Sequence, residues 1–216
     1  MLSEGPAGLL LTGGTSTRMG RDKASLPLGP GGITLGRHLG AMLEAVTVSA
    51  LEVGPHASLL DTPAEADPLK GPLAALALGA RTLRHLGWEG AIVVLATDLP
   101  LLTLGLLGQV AKWSAPEHLS VVPAAGGRLQ PLCARWSPAA VDRAIEAVER
   151  GERRVSAALG DADDLVVLGA AELPGVDLDL ELADVDDEAA LIQLGLVVSQ
   201  LKAHRNAAPP PSAPFS

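Results

Sequence analysis

Near the start of the chain, Leu9 to Lys23 (LLLTGGTSTRMGRDK) gathers the residue types needed to hold a polyphosphate. An apolar run, Gly8 to Leu11, stops at Thr12-Gly13-Gly14, and a polar loop carrying Arg18, Gly20, Arg21 and Lys23 follows. Apolar residues bounded by glycines read as a buried strand ending in a turn. Adjacent glycines let the backbone approach a bulky ligand and present consecutive N–H donors, as anion-binding nests do. The neighbouring cations would neutralise phosphate charge. Two common phosphate loops are excluded. GxxxxGK[ST] fails because Arg21 follows Gly20 and the interval from Gly14 is one residue too long. GxGxxG fails because Gly13 and Gly14 are adjacent and Gly20 comes late. The plain alternative is a glycine-rich surface turn with solvated charges.

A second candidate lies at Asp98. Ala91 to Ala96 (AIVVLA) is apolar throughout and β-branched at its centre, as suits a central parallel strand buried on both faces. It ends in Thr97-Asp98-Leu99-Pro100, so the carboxylate falls where open α/β sheets bind ligands. Such a group suits Mg²⁺, which takes one or two carboxylates together with substrate phosphates. The competing role, capping a helix from about Thr103, is weakened by the intervening Pro100 and Leu101. Between the two candidates, Asp67 precedes Gly71-Pro72, a helix start with proline in the first turn. A solvated loop carboxylate is the plain reading of such an acid.

These residues need elements to position them. Strands are expected over Ala7–Thr12, Val46–Val53, Ala91–Ala96, His118–Pro123, Leu129–Trp136 and Val166–Leu168. Ser49 falls near the end of the second, on the edge expected to face a ligand. Helices are expected from the Thr34 cap to about Ala45, from Pro72 to about Leu86, from about Thr103, over Ala139–Arg150, and from about Glu188 to Leu196. Leu35, Leu39, Leu43 and Val46 line one face of the first, and Gly151 stops the fourth. Gly126-Gly127 is a turn, and Pro131 implies an edge or a break. Asp184 and Asp186 alternate, which would point both to one side of a strand. Strands alternating with helices indicate an α/β, doubly wound, mainly parallel sheet. It would occupy one domain, residues 1–202, with a disordered proline-rich tail at 203–216.

With 216 residues, 48% of them hydrophobic and only 2% aromatic, the chain must fill its core with Leu, Val and Ala. A net charge of −9 argues against non-specific nucleic-acid binding. Cys133 is the only cysteine, so no intrachain disulfide forms, and a buried thiol is expected. No apolar run reaches about 18 residues, and no signal-peptide pattern opens the chain, so a cytoplasmic protein without membrane attachment is expected.

The loop resembles the signature of the small nucleotidyltransferases, LxGGxSxRMGxDK, and most of all that of the molybdenum cofactor guanylyltransferases, which join GMP to molybdopterin. The resemblance runs on through the D…GPLAG segment (Gly71 to Ala75, with Asp67 as its acid and Asp61 as the alternative), the DxP motif (Asp98-Leu99-Pro100), whose Asp binds the metal, and the QPL element (Gln130-Pro131-Leu132) near the second substrate. In the late motif the family has NxN or DxD before a Thr-Pro helix start; here Asp184 and Asp186 stand in place of Asn, and Asp187-Glu188 replaces Thr-Pro. The resemblance implies a Rossmann-like nucleotidyltransferase fold and an Mg²⁺-dependent transfer of GMP from GTP to molybdopterin cofactor. It also implies transient contact with molybdenum cofactor delivery proteins. Arg18, Lys23 and Asp98 are then the expected catalytic residues, and Asp98 the metal ligand. Leu11, Thr12, Gly13, Gly14, Lys23, Ser49, Asp67 and Asp98 would bind nucleotide; Gln130, Asp184 and Asp186 are candidates for the acceptor or a second metal. Paired glycines favour guanylyl over cytidylyl relatives, which carry AG there. The alternatives are a cytidylyltransferase or other small-metabolite nucleotidyltransferase, and a non-catalytic nucleotide-binding partner.

Overall fold

A computed structural model describes residues 5–13, 23–28, 32–55, 57–64 and 71–184. Its strands are β1 (Ala7–Leu11), β2 (Ala50–Val53), β3 (Asp61–Ala64), β4 (Ile92–Ala96), β5 (Ser120–Ala125), β6 (Arg128–Leu129), β7 (Cys133–Trp136) and β8 (Leu165–Leu168). They join in the order β3-β2-β1-β4-β7-β5-β6, with β8 beside β5. The helices are α1 (Leu35–Val46), α2 (Gly71–His85), α3 (Leu104–Lys112), α4 (Pro138–Glu149), α5 (Ser156–Leu159) and α6 (Leu178–Glu181).

The sheet is doubly wound. β1 and β4 are buried at every position, because helices cover both faces and leave neither to water. Leu10 joins the layer under α1 and α3; Leu9 and Leu11 join the layer under α2 and α4, as the two-residue period of a strand demands. Thr34 caps α1 by accepting the Arg37 N–H, and Leu35, Leu39, Leu43 and Val46 face inward as expected. Gly79 lets α2 press onto the sheet, since a Cβ there would run into Leu9 and come within 2.9 Å of Val53.

The parallel core β3-β2-β1-β4 matches the expectation, while β7 runs antiparallel to both β4 and β5 and makes the sheet mixed. The single strand expected over Leu129–Trp136 divides into β6 and β7 on either side of Gln130 to Leu132. Pro131 has no N–H for a ladder there. Gly126 and Gly127, with φ of 53° and 73°, close the two-residue β5–β6 hairpin. β3 was not expected; it is short, lies at the sheet edge and contains Pro63, which edges tolerate.

One site placement is corrected. α1 continues to Val46, whose side chain is still buried, so β2 begins only at Ala50. Ser49 therefore stands at the amino end of β2, where its carbonyl accepts the Gly8 N–H at 2.7 Å. That end is opposite the edge where the serine would meet a ligand. Asp61 likewise opens β3 at its amino end, across from Leu51. The expected helix over 188–196 and the tail at 203–216 lie outside the described residues. No described helix is long and apolar enough to cross a membrane.

Candidate active site

β1 is flanked by β2 on one side and β4 on the other, so its carboxyl end is the point where the strand order reverses. Open α/β sheets bind ligands in that crevice. Leu11 pairs with Val53 on one side and Ala96 on the other, and the Thr12 N–H extends the ladder by donating to the Val53 carbonyl at 3.1 Å. Thr12 is buried, and Gly13 emerges exposed at the sheet edge. Gly54 lies close beneath this turn: a Cβ there would overlap the Thr12 hydroxyl and sit 2.8 Å from the Gly13 nitrogen.

The β4 side supplies Asp98, two residues past the end of the strand at Ala96. Its Oδ1 is buried while the residue as a whole is half-exposed. Leu99 and Leu102 are buried on either side of Pro100 and Leu101 and hold the segment down. The cap of α3 is Thr103, which accepts the Leu106 N–H at 3.1 Å, so Asp98 is not spent on that task. Thr103 in turn donates its N–H and hydroxyl to Glu181 at 3.2 and 2.6 Å, tying α6 to this corner. Burial first, then the negative charges of Asp98 and Glu181, push the Cys133 thiol up to about 12.

Three residues beyond α6, Asp184 accepts a hydrogen bond from the Lys23 ammonium at 2.9 Å. Lys23 opens a 3-10 turn (Lys23–Ser25), and its side chain is only 12% exposed against 54% for Asp184. The residues from Thr103 through Glu181 to Asp184 thus link the segment after β4 to the lysine of the first loop. Asp184 is thereby placed as a counter-ion of Lys23. Gln130 also reaches this edge. β7 is antiparallel to β4, so its start lies at the carboxyl end of β4, where the Leu132 carbonyl accepts the Ala96 N–H at 2.8 Å. The structure therefore brings Leu11, Thr12, Gly13, Asp98 and Gln130 to one edge of the sheet and joins Lys23 to Asp184; it leaves Ser49 at the other end. Gly14, Arg18, Asp67 and Asp186 lie outside the described residues.

Magnesium fits this site by donor chemistry. The Asp98 carboxylate is a hard oxygen ligand whose Oδ1 is withdrawn from water. Among the described residues no group of three or more acidic, histidine or cysteine side chains forms a self-sufficient metal cage. An ion relying on substrate phosphates needs no such cage.

Sequence reasoning missed Glu52, Thr103 and Glu181. Glu52 was visible as a lone acid inside the apolar strand ALEV; the Thr103–Glu181 pair spans 78 positions and left no local signal.

The model of the MobA-like NTP transferase domain matches residues 8–164. A probable molybdenum cofactor guanylyltransferase of Mycobacterium tuberculosis is 37% identical over 174 residues, covering 78% of this chain and 86% of the relative. One of Mycobacterium marinum is 35% identical over 185 residues, covering 82% and 90%. Among solved structures, molybdopterin-guanine dinucleotide biosynthesis protein A of Archaeoglobus fulgidus superposes with a TM-score of 0.66 at 18% identity, covering 90% of this chain and 99% of that one. The 2-C-methyl-D-erythritol 4-phosphate cytidylyltransferase of Thermus thermophilus gives 0.57 at 15% identity, covering 88% and 98%. At such identities the structural likeness concerns the fold alone. The length of the family match and the identity to the mycobacterial proteins go further, and the chain belongs to the MobA-like NTP transferase family.

Proposed function

We propose that the chain is a guanylyltransferase that moves GMP from GTP onto the phosphate of molybdopterin cofactor and releases pyrophosphate. The observation that carries this reading is the adjacency of the Leu11–Gly13 turn and Asp98 at the reversal point of the strand order. The names of the mycobacterial relatives support the base and the acceptor.

An oxygen of the acceptor phosphate attacks the α-phosphorus of GTP. The bond from the α-phosphorus to the oxygen bridging the β-phosphorus breaks, and its electron pair leaves with pyrophosphate. An ionised phosphate is already a nucleophile, so no general base is required. The protein's part is positioning and charge neutralisation. The Thr12–Gly13 backbone, continued by Gly14, seats the nucleotide. Lys23 and Arg18 offset the charge that gathers on pyrophosphate. Lys23 meets the phosphates in competition with Asp184, a neighbour exposed enough to release it to a more highly charged partner. Asp98 would hold Mg²⁺, which supplies charge screening at the α-phosphate. Asp67 would add a nucleotide contact, and Gln130 and Asp186 would serve the acceptor. A transient encounter with cofactor delivery proteins would bring the acceptor.

Thermal unfolding in Mg²⁺ with GTP, CTP, ATP or UTP tests the base. A ligand at about 100 times its Kd adds roughly 2.7 kcal/mol of stability. GTP alone should raise the midpoint. A shift with CTP alone would move the reading to cytidylyl transfer, and no shift with any nucleotide would overturn it.

A further inference from the structure

Glu52 is the only carboxylate in the buried core among the described residues, with 0% exposure. It sits in β2 opposite Leu10 and shares the sheet face of Thr12, two residues after Leu10 and just past the end of β1. Four donors meet its two oxygens. Oε1 accepts the Thr12 hydroxyl at 2.5 Å and the Ala57 N–H at 2.7 Å; Oε2 accepts the Ser58 N–H at 2.8 Å and the Ser58 hydroxyl. Burial alone would raise its pKa, yet these hydrogen bonds outweigh it and hold the carboxyl below its ordinary value. The carboxylate thus joins two loops that leave the sheet side by side, one after β1 and one after β2. The second loop is itself docked. Ala57 lies against Gly36 and Ser58 against Gly40 of α1, where added Cβ atoms would come within 3.0 and 2.9 Å of them.

We infer that Glu52 is a positioning residue for the nucleotide: by clamping Thr12 to the loop at Ala57–Ser58, it fixes the Thr12–Gly13 backbone that seats the ligand. This rests on the nucleotide-transfer reading of the same turn. The clamp uses the Thr12 hydroxyl proton and the Thr12 N–H donates to Val53, so Thr12 is anchored inward and the ligand is met by the backbone that follows its N–H. Gly54 serves the same device, since any side chain there would force the Thr12 hydroxyl out of the clamp. Glutamine cannot replace the carboxylate. A hydroxyl can turn to accept, but the Ala57 and Ser58 N–H groups cannot, and each faces a different oxygen. Either orientation of a glutamine amide therefore sets its NH₂ against one of these backbone N–H groups.

The test is equilibrium binding of Mg²⁺ with each of the four nucleoside triphosphates to the full chain, with the unfolding midpoint read alongside. Glu52→Gln should weaken binding of the preferred nucleotide about tenfold in molecules that remain folded. Ser58→Ala removes one donor outside the nucleotide turn and should weaken it by a smaller factor in the same direction. A purely structural role lowers the fraction of binding-competent protein and leaves the Kd of that fraction unchanged. Unaltered Kd values in folded Glu52→Gln overturn the inference. Should Glu52→Gln fail to fold, unaltered affinity in Ser58→Ala does the same. A wild-type chain that binds some nucleotide other than GTP overturns the choice of base and leaves the clamp to be judged with that nucleotide. A wild-type chain that binds none overturns both.

Discussion

Two carboxylates stand toward the carboxyl ends of the strands on either side of β1, in opposite surroundings. Glu52 lies within the β2 ladder, is fully buried, and receives four donors from its own chain. Asp98 lies two residues beyond the β4 ladder, is half-exposed, and leaves the capping of α3 to Thr103. The difference is one of register. A charge inside a covered sheet must find its partners within the fold, because an uncompensated buried charge is too costly to keep. A charge just past the last paired residue stands at the crevice where open α/β sheets bind ligands. Under the proposed function, Glu52 shapes the site and Asp98 meets the ligand.

This contrast predicts effects of different kinds. The largest is expected for Asp98→Ala, which should lower kcat/KM by about 10³-fold or more while the unfolding midpoint stays within a few degrees. Near wild-type turnover in that variant would remove Asp98 from the chemistry. The effect at Glu52 is smaller and falls on stability as well as affinity. Glu52→Gln should cost about 1–3 kcal/mol at neutral pH through one mismatched backbone donor. The cost should also depend on pH. The folded-state pKa lies below the ordinary 4.5, so the unfolded chain takes up the proton first as the solution is acidified. The contribution of the ionised group is complete above the unfolded pKa and is lost as pH falls through the lower folded value. Urea midpoints of wild type and Glu52→Gln should accordingly keep a constant gap near neutrality and converge in the acid range. A gap that persists unchanged through that range would mean that Glu52 is not held as a carboxylate.

Much of the arrangement could be read from local sequence because local rules wrote it. The Thr34 cap, the glycine after α4, the apolar β4 run and the break at Pro131 each follow from backbone chemistry within a few residues. The position of Asp98 was legible for the same reason, as an acid two residues past a fully apolar strand. What escaped depended on partners far along the chain or on a boundary. Lys23 and Asp184 meet across 161 positions, and no spacing rule pairs them. Ser49 was misplaced because Val46 suits the end of an amphipathic helix as well as the start of a strand, and packing under α1 decides between them. β3, with Pro63 in its middle, lacks the alternation that marks a strand and forms by pairing with β2. Glu52 left no local signal beyond being the one acid of β2; Thr12 and the Ala57–Ser58 loop folding back over it supply the donors that make it tolerable.

The most direct test of the central claim is pyrophosphate release from each nucleoside triphosphate by the wild-type chain with Mg²⁺ and molybdopterin cofactor. The account predicts release from GTP that depends on the acceptor, with GMP recovered on the molybdopterin phosphate. Acceptor-dependent release from CTP alone, or no release from any nucleotide that the chain binds, would contradict it.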